Sequence, residues 1–372
     1  MPELRFPEFT DEWKQYKLSD LFSKITKKNS DNSITNVISN SAKNGLIPQR
    51  DYFDKDIANS NNTSSYYVIN ENDFVYNPRK SNEAPYGPVS VYKYKDTGIV
   101  SPLYLCFTNT KELNVNYMDQ FFKSSYWHRY IYESGDSGAR HDRVSIRDDV
   151  FFNMPIFLPK IEEQNLIAKI LFLLDNKISR QQELLDNLKL YKRGLLKQVF
   201  KSKHEWKEVL LGNIADIYQP QTISSDMLNP TSQYAVYGAN GQIGNYDKYN
   251  HETEQIAICC RGASCGTVNY IPALSWITGN AMVINTDKYD VNKKFLFHQL
   301  SNADLSYMIS GSGQPQIVRT PCELHKMYIP NKELQLKISS LLDSFDTKIE
   351  MAQDTLTLLQ QTKLVLLQKM FI

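Results

Sequence analysis

Five cysteines and six histidines are the residues of this 372-residue sequence that could most readily bind a metal ion. Cys259, Cys260 and Cys265 lie close together, and the nearest histidine, His251, is isolated. Structural zinc sites usually need two pairs of closely spaced ligands, and the sequence contains no Cys-x-x-Cys. We therefore expect no metal site and interpret these cysteines as small buried hydrophobic residues.

Motifs for catalysis and cofactor binding are absent from the sequence as well. It has no Gly-x-x-x-x-Gly-Lys-Ser/Thr phosphate loop and no convincing glycine-rich dinucleotide loop. Asn77-Pro78-Arg79-Lys80 lacks the second proline and the aromatic residue of the Asn-Pro-Pro-aromatic segment typical of amino-methyltransferases. His141 beside Asp142 could act as a general base, but a lone histidine in a polar loop more often contacts DNA or solvent. We expect neither a catalytic residue nor a bound cofactor in this chain.

Polar side chains that could recognise DNA bases recur in loops rich in glycine and proline. Arg, Lys, Asn and Gln are the usual base readers, because their donors and acceptors match base edges in the major groove. Each candidate could also be a solvated loop residue; Arg261 is the strongest, because it lies between an apolar strand pattern and Gly262. The candidate DNA contacts are Lys43, Asn44, Arg79, Lys80, Arg140, His141, Arg143, Gln219, Gln221, Asn240, Arg261, Gln314, Gln316 and Arg319.

An internal repeat organises the chain that must position these residues. Residues 159–200 match residues 330–371 without a gap, 171 positions apart, and 15 of the 42 positions are identical. Glu12-Trp13-Lys14 likewise recurs as Glu205-Trp206-Lys207. The sequence therefore predicts two domains that alternate with two helical segments. The predicted boundaries are 1–158 for the first domain, 159–202 for the first helical segment, 203–329 for the second domain and 330–372 for the second helical segment.

Both helical segments carry apolar residues at steps of three, four and seven, which predicts a long helix with one apolar face. Each helix would be about 60 Å long. Lys192 and Lys363 occupy equivalent positions on this face, where a polar residue can fix the register of a coiled coil. We expect the helices to pair antiparallel; the alternative is two helices that merely pack in a core. The apolar face comprises Leu171, Leu174, Ile178, Leu185, Leu188, Leu195, Val199, Leu342, Phe345, Ile349, Leu356, Leu359, Leu366 and Met370.

Both domains have the pattern of an α+β, mostly β, fold. Short runs of β-branched and aromatic residues, separated by Asn, Pro and Gly, predict strands. One helix is predicted in each domain, over 117–132 and over 294–309, followed by a glycine-rich loop. The predicted strands are 66–69, 74–76, 89–92, 103–107, 255–260 and 281–284, and Asn240-Gly241 predicts a turn.

The formal net charge of +1 is mild evidence against nucleic-acid binding, since such domains are often strongly basic. Base contacts rather than phosphate contacts supply sequence choice, however, so a partner could provide much of the phosphate binding. No run of about 18 apolar residues occurs, and the cysteines lack the spacing of a disulfide framework. We therefore expect a cytoplasmic protein without a membrane segment.

The order of these features resembles the specificity subunit of Type I restriction-modification systems over the whole chain. The first domain departs from the pattern, because Ala139-Arg140-His141-Asp142-Arg143 stands where the second has Gln314-Pro315-Gln316. The residues that carry the resemblance are Leu158-Pro159 with Glu162-Glu163-Gln164, the segments 235–244 and 311–317, and Arg261-Gly262.

The resemblance implies two target-recognition domains, each of which reads one half of a bipartite double-stranded DNA target. It also implies that the helices set the gap between the half-sites and bind two modification subunits, and that two restriction subunits complete the complex. S-adenosylmethionine, ATP and magnesium would belong to these partners, and the chain itself would not be an enzyme. Two alternatives stay open: a coiled-coil scaffold that carries two protein-binding modules, and an enzyme with a degenerate site.

Overall fold

A computed structural model describes residues 1–49, 63–135, 142–201, 205–238, 240–311 and 313–372. The chain forms two compact units: the first comprises Met1–Gln181 with Thr355–Ile372, and the second comprises Gln182–Asp354. Each unit therefore contains one globular domain and a part of each of two long helices.

The globular part of the first unit is built mainly from short strands. Its elements are β1 (Lys14–Lys17), α1 (Leu18–Leu21), β2 (Phe22–Lys24), β3 (Val37–Ser41), β4 (Gly45–Pro48), β5 (Tyr67–Ile69), β6 (Phe74–Tyr76), β7 (Val89–Val91), β8 (Gly98–Val100), β9 (Leu105–Asn109), α2 (Val115–Lys123), α3 (Tyr126–Ser134), α4 (Asp148–Phe152) and β10 (Pro155–Leu158). The first long helix, α5 (Ile161–Val199), follows directly.

The second globular part has a similar order of elements. They are β11 (Lys207–Leu210), β12 (Asp216–Tyr218), β13 (Tyr234–Gly238), β14 (Gly241–Tyr246), β15 (Gln255–Cys259), β16 (Val268–Ile271), β17 (Trp276–Ile277), β18 (Ala281–Asn285), α6 (Lys293–Ser301), α7 (Arg319–Glu323) and β19 (Lys326–Ile329). Short 3-10 turns lie at 211–213, 225–227 and 306–308. The second long helix, α8 (Lys332–Met370), follows β19 and has 39 residues, like α5.

The two domains have closely related sheet topologies, although one sheet has four strands in the first domain and three in the second. In the first, β1 pairs with β10, and two sheets have the orders β2-β9-β6-β7 and β4-β3-β8-β5. In the second, β11 pairs with β19, and the corresponding orders are β12-β18-β15-β16 and β14-β13-β17. A parallel pair, β3 with β8 and β13 with β17, interrupts otherwise antiparallel pairing in each domain. The internal repeat therefore extends beyond the helices to the fold of the domains.

Each domain has its own apolar core. In the first unit Phe74 stacks on Phe107 with ring centroids 5.5 Å apart, and Phe22 meets both rings edge-on. In the second unit Ile256 and Ile284 lie in a buried cluster of side chains from the four-stranded sheet, α6 and the loops after it. These clusters give the strands a fixed face, so the loops at their ends are held in place.

The predicted lengths of the two helices within the domains were wrong. The helix expected over 117–132 is two helices, α2 and α3, broken at Ser124, whose backbone is extended. The Ser124 hydroxyl donates to Phe121 O at 2.6 Å, and the Trp127 indole donates to Phe122 O at 3.0 Å. These side chains satisfy carbonyls that a continuing helix would have bonded. The helix expected over 294–309 ends at Ser301, and a separate 3-10 turn follows at 306–308.

The long helices carry their predicted apolar faces away from solvent. All fourteen residues of the face are buried or half-buried, whereas many of the other helix positions are exposed. In the first unit Leu171 of α5 shares a core with Leu367 and Met370 of α8. In the second unit Leu195 and Val199 pack against a cluster that includes Leu342. Among the described residues, no helix is long and apolar enough to cross a membrane.

Candidate nucleic-acid interface

Arg79 and Arg143 lie directly opposite each other in the first unit. Arg79 follows β6, and an isolated antiparallel bridge pairs it with Arg143. Residues that face each other across an antiparallel pair project to the same side, so the two guanidinium groups share one face. Two backbone hydrogen bonds flank the bridge: Lys80 N donates to Asp142 O at 2.9 Å, and Val144 N donates to Pro78 O at 2.8 Å.

The electrostatics of this arginine pair favour an external acceptor. Arg79 is exposed, and the Nε of Arg143 is buried without a hydrogen-bond partner among the described residues. The only described carboxylate near Arg143 is Asp142, 4.0 Å away. Burial raises the pKa of the neighbouring Tyr104, and both guanidinium charges oppose that rise. Like charges placed across a strand pair are unfavourable, so a bound surface rich in acceptors would stabilise the pair.

Arg261 and Gln316 form the corresponding pair in the second unit. Arg261 follows β15, and an isolated antiparallel bridge joins it to Gln316. Gln316 also bridges Ser310, with both backbone hydrogen bonds at 2.9 Å. The side chains of Arg261 and Gln316 are exposed. The flanking bonds are Gly262 N to Pro315 O at 3.1 Å and Ile317 N to Cys260 O at 3.0 Å.

The two bridges are therefore equivalent position by position. Arg79 corresponds to Arg261, and Arg143 corresponds to Gln316, with the same two backbone bonds on either side. The loop before Gln316 requires glycine at position 311, whose φ is +89°, because a Cβ there would lie 2.6 Å from the Gln314 carbonyl oxygen. The arrangement places the candidates Arg79, Lys80 and Arg143 together in one domain, and Arg261, Gln314 and Gln316 together in the other.

Lys43 and Asn44 lie apart from that bridge, in the turn between β3 and β4. Both are exposed, and Gly45 completes the turn with a φ of +67°. They line a cleft of about 450 Å³ together with Lys93, Lys123, Trp127 and His128. The buried Asp119 also lines it; burial opposes ionisation, but Lys123 and Lys93 outweigh it and lower the pKa of the carboxyl. Asn240 occupies the corresponding turn between β13 and β14, before Gly241.

Three of the remaining candidates have local roles in the structure. The Gln219 amide donates to Cys260 Sγ at 3.0 Å and to Gly279 O at 3.3 Å, so it braces neighbouring strand ends. Arg319 forms an ion pair with Glu323 at 2.6 Å. The Gln221 side chain is exposed, and the backbone carbonyl of Gln221 accepts a hydrogen bond from the indole of Trp276 at 3.3 Å. Arg140 and His141 lie outside the described residues.

One pair of residues with a clear role was missed by the sequence analysis. Gln164 accepts a hydrogen bond from Asn114 N at 3.0 Å and donates to Pro159 O at 2.9 Å. Gln335 makes the same two contacts, with Asn292 N at 2.8 Å and Pro330 O at 2.9 Å. Each glutamine therefore fixes the start of a long helix to the first turn of a domain helix. Both glutamines occupy the same position of the internal repeat, and this identity is the sequence signal that could have indicated their role.

Among the described residues, the geometry of one cluster would allow a metal ion. His298, Asp343 and Asp346 have potential ligand atoms within 4.8 Å of one another. Lys192 binds Asp346, and Lys294 lies 3.1 Å from Asp343, so two ammonium groups already neutralise the carboxylates. This cluster is therefore an ion-pair network around a buried histidine, and none of the three cysteines near position 260 belongs to it.

Comparison with known proteins identifies the family. The family model of the Type I restriction modification DNA specificity domain matches residues 10–190 and 203–361. The chain belongs to this family, and the two matched segments each contain one of the two bridges described above. The duplicated match agrees with the duplicated topology.

Individual relatives are distant. The chain is 29% identical to the Type I restriction enzyme EcoprrI specificity subunit of Escherichia coli over 161 residues, which span 42% of this chain and 40% of that subunit. It is 26% identical to the Type I restriction enzyme MjaVIII specificity subunit of Methanocaldococcus jannaschii over 255 residues, 54% of this chain and 57% of that one. The fold is similar to the crystal structure of the Type-I restriction-modification system S subunit from M. genitalium, with a TM-score of 0.69, 17% identity and coverage of 100% and 99% of the two chains.

Proposed function

We propose that this chain selects the DNA target of a Type I restriction-modification complex and has no catalytic site of its own. The observation that carries the proposal is the recurrence of a cross-strand pair of side chains capable of reading bases, at equivalent positions of two domains with related topologies. Two such sites in one chain favour a target with two halves, one half for each domain. Arg79 with Arg143 would contact the first half, and Arg261 with Gln316 would contact the second.

The long helices would separate the domains and bind the partner subunits. Large apolar side chains remain exposed on both helices, including Phe172, Leu173 and Tyr191 on α5 and Leu358 and Leu364 on α8. A surface of this kind favours a protein partner over solvent. We propose two modification subunits and two restriction subunits as partners, with antiparallel pairing of the helices offering each modification subunit an equivalent surface.

The cofactors would reside in those partners. S-adenosylmethionine, ATP and magnesium would act in the modification and restriction subunits, while this chain would supply sequence choice. All five cysteines of this chain are free thiols. Burial raises the pKa of Cys106 to about 12 and that of Cys322 to about 12, so these thiols are protonated and unreactive. A reducing cytoplasm is the compartment that suits them.

The direct test is to map methylated bases in a genome that carries this chain with its modification partner. The proposal predicts one methylated target with two short specified halves and an unspecified gap. A genome without this chain but with the modification subunit should lack that methylation. Methylation that persists unchanged without the chain would contradict the proposal, as would a complex that methylates no defined sequence.

A further inference from the structure

The two cross-strand pairs differ in chemistry at a single position. Arginine is present at both 79 and 261, whereas the opposite residue is Arg143 in the first domain and Gln316 in the second. The backbone bonds that frame the two pairs join the same relative positions and differ by at most 0.2 Å. The scaffold is therefore matched, and the difference in side-chain chemistry lies in the second member of each pair.

Arginine and glutamine recognise different bases. An arginine guanidinium donates two parallel hydrogen bonds to O6 and N7 of guanine, whereas a glutamine amide matches the donor and acceptor at N6 and N7 of adenine. The Gln316 side chain is exposed, and so are those of Arg79 and Arg261. Arg143 is 34% exposed at its side chain, which leaves part of its guanidinium accessible.

The spacing within each pair suits adjacent base pairs. Facing residues of an antiparallel pair have Cβ atoms about 5 Å apart, and successive base pairs rise by about 3.4 Å. Two long side chains on one face can therefore converge on neighbouring base pairs. The paired guanidinium groups of Arg79 and Arg143 would find two acceptor-rich guanine edges there, which relieves their mutual repulsion.

We infer, on the basis of the proposed function, that Arg143 and Gln316 are specificity-determining residues that give the two half-sites different base requirements. The Arg79–Arg143 pair reads two neighbouring G·C pairs in the first half-site. The Arg261–Gln316 pair reads a G·C pair next to an A·T pair in the second half-site. Each half-site therefore contains one dinucleotide that the facing side chains dictate.

The experiment exchanges the residue types at positions 143 and 316. Gln316→Arg gives the second domain the arginine pair of the first, and Arg143→Gln does the reverse. Each variant is produced with its modification partner, and the methylated target is mapped as for the unaltered complex. Gln316→Arg should convert one A·T pair of the second half-site to G·C, with about a 5- to 150-fold change in discrimination at that pair, and leave the first half-site unchanged. Arg143→Gln should convert one G·C pair of the first half-site only.

The controls separate this inference from the proposed function. Arg129→Gln changes an exposed arginine on α3 that pairs with Glu133 and belongs to neither bridge, and it should leave the target unchanged. Gln316→Ala removes the amide without adding a charge and should relax the same A·T position, so it covers the case in which Gln316→Arg does not fold. An unaltered complex without a defined target would refute the proposed function. A defined bipartite target that keeps its adenine in both Gln316 variants would overturn only the present inference.

Discussion

Lys192 on α5 forms an ion pair with Asp346 on α8, and the residues at the equivalent positions of the repeat, Lys363 on α8 and Asp175 on α5, form the same ion pair. Each pair lies within one compact unit, and both lysine side chains are 17% exposed. Burial lowers the pKa of Lys363, and Asp175 opposes that shift through a hydrogen bond and its charge. The polar position on each apolar face is thus satisfied by an acidic residue of the other helix.

Removing one ion pair should reveal a modest coupling. In a double-mutant cycle of Lys192→Met and Asp346→Asn, we expect a coupling free energy of about 0.5–1 kcal/mol, because Asp346 is 44% exposed and solvent screens the charges. Chemical denaturation of the two single variants and the double variant measures it. Lys189→Met, at an exposed position of α5, is the control. Strictly additive effects of the two changes would show that the pair contributes nothing to stability.

The glutamine at the start of each long helix should contribute more to stability than the ion pair does. Gln164→Ala removes two hydrogen bonds of a buried amide and leaves backbone groups without a partner, so we expect a loss of about 1–3 kcal/mol of unfolding free energy. Gln335→Ala should cause a similar loss of stability in the second unit, because Gln335 makes the same two hydrogen bonds. Glu162→Ala, two positions earlier and exposed, should change stability by less than about 0.5 kcal/mol. Equal effects of the Gln164 and Glu162 changes would argue against the bracing role.

His298 should make the second unit sensitive to acid. Burial lowers the pKa of its ring, and Asp343, Asp346, Lys192 and Lys294 are the charged groups around it. An unfolded histidine titrates near pH 6.5. Between that value and the lower pKa of the folded state, the unfolded state binds more protons, so the unfolding free energy falls as the pH falls.

The counterpart in the first unit supplies the control for this effect. Gln120 occupies the equivalent place on α2, six residues after the capping Asn114, and donates to Asp175 at 2.8 Å. Asp175 corresponds to Asp346, so His298→Gln should exchange the hydrogen bond to Asp343 for one to Asp346 and flatten the loss of stability between pH 7.5 and pH 5.5 in urea denaturation. A variant that loses stability on acidification as steeply as the unaltered chain would assign that sensitivity to other groups.

The sequence predicted the long helices well because their signal is local and strong. Steps of three and four over many turns, together with the repeat, identified α5 and α8 within three residues at either end. The related topology of the domains could not be predicted from the sequence. Strands that pair, such as β3 and β8, are short and lie far apart in the chain, so no local pattern indicates which strands are neighbours. Arg79 and Arg143 were chosen separately, and only tertiary structure shows that they face each other. The break of the 117–132 helix at Ser124 depends on side-chain bonds that residue propensities do not reveal.

Lengthening both helices should change the gap between the half-sites, if the helices set it. Four residues inserted after Gln182 and after the equivalent Gln353 would add about 6 Å while they remain helical. This length is close to two base pairs of rise, at about 3.4 Å each. The methylated target should keep both halves and gain one or two base pairs between them. An active variant whose gap is unchanged would show that helix length is not the ruler.

The central claim is that each domain independently reads one half of a bipartite target. Its most direct test replaces residues 203–329 with the second domain of a related specificity subunit, keeps the rest of the chain, and maps the methylated target of the resulting complex. We predict that the first half-site stays the same and that the second half-site becomes that of the donor. A chimera that methylates a target with both halves altered, or with the original second half retained, would contradict the account.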